Sequence, residues 1–164
     1  MKQLQTIRIP IRKDIVEKSK RDCERLGVFK KSVYQGQRLL QGTVAEYVVQ
    51  ERFGGELVRN FYYDLLCRWY KIDVKSKLLT RDQVPAEHWR CDILTETALS
   101  GAQLYFIVYV HASFSEAHLI GFMTKQKLLK KSHRVSKGDL VAGGHVAKAD
   151  SLVFRLGDLD PFRA

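Results

Sequence analysis

The chain has 164 residues, 45% hydrophobic and 28% charged, with a net charge of +10 and a pI near 9.6. That length suits one domain able to bury its own core. No apolar run reaches the roughly 18 residues of a membrane span. The opening MKQLQTIRIPIRKD lacks the apolar block of a secretory signal. Three cysteines (Cys23, Cys67, Cys91), odd in number and widely spaced, argue against a disulfide framework and a zinc ribbon. A soluble, intracellular, cytoplasmic protein with no membrane partner is expected.

In chain order, Gln3 to Pro10 reads as a short strand, and residues 12–26 as a charged helix stopped by Gly27. A second helix spans Gln37 to Phe53 and stops at Gly54-Gly55. Glu56 to Asn60 reads as a short strand, followed by Phe61 to Cys67 and Trp69 to Ser76 as two tightly joined strands. Residues 82–98 have no clear period. Leu104 to His111 is the strongest strand, rich in β-branched and aromatic residues. Ala117 to Met123 is its expected antiparallel neighbour. Thr124 is placed to cap a basic helix through Lys131, Gly138 to Gly144 reads as loop, and Ser151 to Leu156 as a last strand. The order predicts a mixed α/β domain with one central sheet.

The positive charge is unevenly spread. Residues 125–137 carry Lys125, Lys127, Lys130, Lys131, Arg134 and Lys137 with no acid, and residues 1–38 carry eleven Lys and Arg against four Asp and Glu. Many small proteins are basic, but two basic segments flanking a less basic centre suit one that grips phosphates and holds a cation.

The segment FYYDLLCRWYKIDVKSK is the most informative. By the period of two, Lys71, Asp73, Lys75 and Lys77 share one strand face, and Tyr70, Ile72 and Val74 share the other, which is read as the core face. An even loop centred on Arg68-Trp69 pairs Cys67 with Tyr70 and Leu65 with Ile72, and sets Asp64 opposite Asp73. Arg-Trp is a poor primed-turn pair, so a four-residue loop is favoured over a two-residue one. Opposed like charges are destabilising unless neutralised, and a divalent cation would do so. Taken alone, Asp-x-Lys on a strand is more often a solvated face.

On the second helix, Leu40, Val44, Tyr47 and Val48 form one apolar stripe, and Leu39, Val49 and Phe53 another. Glu46 lies among the latter and needs a partner, whether a metal site or a Lys or Arg.

The run from Gln41 to Lys77, QGTVAEYVVQERFGGELVRNFYYDLLCRWYKIDVKSK, resembles the PD-(D/E)XK nuclease superfamily. That family carries a helix glutamate, an aspartate at the start of a hairpin, and Asp/Glu-x-Lys on the next strand. GTVAE followed by Gly-Gly and a strand is similar in layout to archaeal Holliday-junction resolvases. The resemblance implies a restriction-endonuclease-like α/β/α sandwich with a central mixed β-sheet. It also implies one nuclease domain over 1–164, with a basic strand and helix extension over 1–35 and a catalytic core over 36–164. Glu46, Asp64, Asp73 and Lys75 would be catalytic. Glu46, Asp64, Asp73 and the Val74 carbonyl would ligate Mg2+, with Mn2+ as a substitute. The implied activity is hydrolysis of DNA phosphodiester bonds, as an endonuclease with branched or junction DNA as a candidate substrate, by a homodimer. Lys77, Lys125, Lys127, Lys130, Lys131 and Arg134 would hold the DNA backbone. The alternatives are a restriction-type or exonucleolytic DNase, or an inactive nucleic-acid-binding protein of the same fold. Tyr63 replaces the family's proline before the first aspartate. The Q-x-x-x-Y element of RecB-like exonucleases and an iron–sulfur cysteine set are not found, which argues against those branches.

His88, His111, His118, His133 and His145 have no zinc spacing, and His111 reads as structural. Tyr62, Tyr63, Trp69 and Tyr70 crowd the hairpin. Aromatic core is the safer reading for them, and stacking on unpaired bases the alternative.

Overall fold

The computed structural model describes residues 4–25, 37–60, 62–80, 83–99, 101–141 and 144–162. Gln3, Gly27, Phe61 and Gly143 of the segments above lie outside them. The fold is mixed α/β. Strand β1 (Ile7–Pro10) and helix α1 (Lys13–Arg25) lead to helix α2 (Gln37–Phe53). Strands β2 (Glu56–Leu57), β3 (Leu65–Cys67), β4 (Tyr70–Leu79) and β5 (Arg90–Leu94) follow, then the short helix α3 (Thr95–Ala98). Next come β6 (Leu104–His111), β7 (Glu116–Thr124), α4 (Lys125–Lys131), β8 (His133–Val135), β9 (Leu140–Val141), β10 (His145–Val146) and β11 (Ser151–Arg155).

A six-stranded mixed sheet has the order β1-β7-β6-β4-β3-β2, with β4 and β6 parallel and the other pairs antiparallel. A three-stranded sheet has the order β5-β11-β8. Strand β6 is buried on both faces, which explains its unbroken apolar sequence. Phe106, Val108 and Val110 join Val44, Val48 and Val49 of α2 in one core. Tyr105, Ile107 and Tyr109 join Cys91, Ile93, Leu152 and Phe154 of the three-stranded sheet, with Ala98 of α3 and Leu128 of α4, in a second. Burying each large apolar side chain contributes roughly 1.5–3 kcal/mol.

Strand β7 changes its alternation midway. Ala117 and Leu119 belong to the first core, Ile120 and Met123 to the second. The register slips between Ile107 and Val108, so Ile120 is an inserted bulge residue that reverses the faces. Beside it, a Cβ on Gly121 would stand 2.6 Å from the Asp160 carbonyl oxygen, so only glycine fits there.

Helix α2 is covered on two sides, as its two stripes require. Ile15, Ser19 and Cys23 of α1, spaced by four, are buried, and Cys23 Sγ lies 3.4 Å from Thr43 Oγ1. Thr124 caps α4 by accepting the Lys127 N–H. Three short elements differ from expectation. The last part of the basic segment forms β8, held by pairing with β11. The expected loop from Gly138 contains β9, which pairs with β10. Glu56 to Asn60 contributes only the two residues of β2. Among the described residues no helix is long and apolar enough to cross a membrane.

Candidate metal and catalytic site

The β3–β4 ladder pairs Leu65 with Ile72, Leu66 with Lys71 and Cys67 with Tyr70, the register that an even loop requires. The favoured four-residue loop gives way to a two-residue turn at Arg68-Trp69. Arg68 itself adopts the left-handed conformation (φ 54°) that such a turn needs. This costs an L-residue on the order of 1 kcal/mol, and the flanking ladder offsets it.

Asp64 sits one residue before β3. Its backbone N–H donates to Ile72 O at 3.0 Å, and its Oδ2 accepts the Val74 N–H at 2.7 Å. Val74 points its N–H and C=O to the same edge as Ile72 by strand alternation. Strand β3 has already begun to diverge there, so the Asp64 carboxylate replaces the absent strand. Asp64 O in turn accepts the Val58 N–H at 2.9 Å and the Arg59 N–H at 3.2 Å.

Asp73 lies in the middle of the sheet and is only 4% exposed. The expectation that Tyr70, Ile72 and Val74 alone face a core is therefore corrected twice: Asp73 on the opposite face is buried too, and Tyr70 is exposed. The face bearing Asp73 also carries its parallel neighbour Tyr105 and is roofed by the second core. Lys75 Nζ lies 3.1 Å from Asp73 Oδ1 and 2.9 Å from Oδ2. Oδ2 is shut off from solvent and takes part in no hydrogen bond among the described residues.

Burial, then the charges of Asp73 and Glu46, raise the Asp64 pKa to about 7, against the Val74 N–H and Lys75. Burial also raises Asp73, with Lys75 opposing. Burial and mutual repulsion thus disfavour two charges on this pair.

Glu46 projects from α2 close enough for its charge to act on Asp64, but its partner is Arg59. Arg59 Nε lies 2.7 Å from Glu46 Oε2, and Nη1 lies 2.6 Å from Asp22 Oδ2. Tyr47 donates its hydroxyl to the same Asp22 oxygen, and the guanidinium carbon stands 4.7 Å from the Tyr47 ring centre. Burial raises Glu46, with Arg59 opposing. Sequence reasoning left this partner unnamed. A signal existed, since Arg59 is the only Lys or Arg between Arg52 and Arg68. Among the described residues no three His, Cys, Asp or Glu side chains converge to hold a metal ion. The convergent set is two carboxylates, Asp64 and Asp73, beside the edge that the Val74 carbonyl shares.

The expected DNA-contacting cations are partly engaged. Lys77 Nζ lies 2.5 Å from Asp92 Oδ1, and Lys127 Nζ lies 2.6 Å from Asp160 Oδ1. Lys130 and Lys131 lie in the last turn of α4 beyond Lys125, and Arg134 of β8 pairs with Leu152 of β11. The aromatic residues correct the core reading: Tyr62, Trp69 and Tyr70 are exposed, and only Tyr63 packs against the second core.

No protein-family model matches this sequence, and no curated protein matches it as a relative.

Proposed function

We propose that this chain is a magnesium-dependent deoxyribonuclease of PD-(D/E)XK type, in which Asp64 and Asp73 hold the metal and Lys75 serves the reacting phosphate. The observation that carries the reading is the pairing of a part-buried Asp64 with a buried Asp73 at the start of the hairpin, with the Lys75 ammonium on Asp73 and both carboxyls raised above their ordinary values by burial. Magnesium takes one or two carboxylates and fills its remaining positions with waters and phosphate oxygens, so two carboxylates and the Val74 carbonyl fit it. Manganese fits the same oxygen donors. When bound, the ion would supply Lewis acidity toward a phosphodiester and a water nucleophile.

The chain's own residues have separate roles in this proposal. Asp73 orients the Lys75 ammonium, which is only partly buried and can stabilise developing negative charge on a phosphate or align water. Asp64 fixes the β4 edge beside it. Glu46, held by Arg59, acts on the pair through its charge and assists it. The fold is read in its finer form as a restriction-endonuclease-like sandwich, with β4, its parallel neighbour β6 and α2 as the catalytic frame. Lys77, Lys125, Lys127, Lys130, Lys131 and Arg134 are assigned to the DNA backbone, which makes affinity salt-sensitive. Endonucleolytic cleavage, branched DNA as a substrate and a homodimeric state follow from the resemblance.

The test is incubation with supercoiled, linear, single-stranded and branched DNA, with magnesium, manganese or chelator. Nicking or linearisation of supercoiled DNA is expected with metal alone, and is expected to be lost in Asp73→Ala and Lys75→Met. Metal-independent cleavage, or undiminished cleavage by Asp73→Ala, would sink the reading.

A further inference from the structure

The two-residue turn between β3 and β4 carries Trp69 at 90% exposure, with Tyr70 beside it at 52%. Exposing an indole contributes nothing to folding, and no described aromatic ring stacks on either residue. The tip is nevertheless firmly placed. Gln103, the residue before β6, clamps its base, donating its N–H to Lys71 O at 2.8 Å and accepting the Lys71 N–H on Oε1 at 3.0 Å. Lys71 Nζ also stands 5.5 Å from the Tyr63 ring centre. The aromatic pair is thus held on a braced hairpin.

The charge around it selects the occupant. From Leu65 to Ile72 the only charged residues are Arg68 and Lys71, both positive and exposed. Glu56, paired with Leu66 on β2, is an acid beside the hairpin, but the turn itself carries exposed aromatic faces next to two cations, which fit a strand that offers flat bases and phosphates. A second copy of the same tip fits poorly, because it would set Arg68 and Lys71 against their equivalents on a chain of net charge +10. A duplex also fits poorly, because its bases are already stacked on one another.

We infer that the β3–β4 hairpin tip is a stacking platform for unpaired bases of a single-stranded nucleic acid, with Trp69 as its principal face and Tyr70 as its second. Lys71 lies on the same face of β4 as Asp73 and Lys75. Trp69 is four residues from Asp73, roughly 13 Å at strand spacing, so a strand bound at the tip extends toward the partly exposed Lys75 ammonium beside Asp73. This deepens the nuclease reading and rests on it for the course of the strand beyond the tip: the favoured substrate would have unpaired bases beside the cut.

The experiment uses the full chain in chelator, where binding is read without cleavage, with oligo-dT as the single strand and a duplex of equal length. Trp69 emission is expected to be quenched by oligo-dT and weakly by the duplex. Trp69→Phe should lose that signal yet retain most of the affinity measured by anisotropy of a labelled oligonucleotide. Trp69→Ala should weaken oligo-dT binding by about tenfold, and Trp69→Ala with Tyr70→Ala by roughly a hundredfold. Circular dichroism should be unchanged, since Trp69 packs on little. Equal affinity for duplex and single strand, or undiminished oligo-dT binding by the double variant, would overturn the inference and leave the nuclease reading standing. Self-association lost in Trp69→Ala, with oligo-dT binding intact, would overturn it in favour of a second copy. Trp69-dependent binding by a chain that cleaves nothing with metal would uphold it and remove the nuclease reading.

Discussion

Glu46 and Asp22 gather around Arg59 where α1 and α2 meet the chain, whereas Asp64 and Asp73 gather at the β3–β4 hairpin with Lys75. Each group has two carboxylates and one cation, yet they are satisfied differently. The Arg59 fork reaches both of its acids at once. Burial pushes Asp22 up, but the bonds from Tyr47 and Arg59 outweigh it and leave its pKa below the ordinary value. The Lys75 ammonium contacts Asp73, while Asp64 has the Val74 N–H and a pKa near 7. In the first arrangement both acids are bound by one guanidinium, whose Nη2 is left buried without a hydrogen bond among the described residues. The second keeps capacity for a further cation.

Substitution separates the two groups most sharply in catalysis. Under the proposed function, Asp73→Asn is expected to lower metal-dependent cleavage by roughly a thousandfold and to abolish the rise in Tm expected of the parent chain on adding magnesium. Glu46→Gln should cost only about tenfold in cleavage and keep the magnesium-dependent rise, read by thermal melts with and without chelator. Equal losses for the two variants would place Glu46 and Asp73 in one site.

Stability should show the reverse order. Arg59→Met strands Glu46 and Asp22 without their cation and should lower unfolding free energy by roughly 2 kcal/mol in urea titrations. Adding Glu46→Gln should recover part of that loss, because one stranded charge is then gone. Lys75→Met should cost less, since Lys75 is nearer water.

A dependence on pH should be comparable in size to the Arg59→Met loss. The folded chain keeps a proton on Asp64 up to about pH 7, where the unfolded chain has released it from about pH 4. Raising pH through that window therefore favours unfolding. Without metal, stability should fall by roughly 2 kcal/mol across it, and Asp64→Asn should flatten the decline. A rise in stability across the same window would show that the hairpin pair is as well neutralised as the Arg59 group.

Much of the site's frame was legible from local pattern. The even loop fixed which residues of β3 and β4 oppose each other, because strand side chains alternate with a period of two. Two apolar stripes on α2 implied two covering layers and a partner for Glu46. The burial of Asp73 was not legible, because it lies beside Tyr105 of β6 on a face covered by the second core, which distant parts of the chain assemble. The exposure of Trp69 and Tyr70 was hidden for a related reason. Aromatic composition favours a core on average, but a two-residue turn at Arg68-Trp69 carries Trp69 beyond the sheet and leaves Tyr70 at its end. Strands β8, β9 and β10, of three, two and two residues, are too short to display a period.

The bond from Val74 N–H to the Asp64 carboxylate bears on how knock-outs are to be interpreted. Asp64 does the work of a strand edge, so removing it frays the sheet as well as emptying the site. An inactive Asp64→Ala chain would confound chemistry with architecture, and Asp73 is the cleaner position for an inactive control. The same bond makes the Val74 amide a built-in reporter. Its hydrogen-exchange rate should track whatever occupies the carboxylate, and could be followed residue by residue while ligand or metal is titrated.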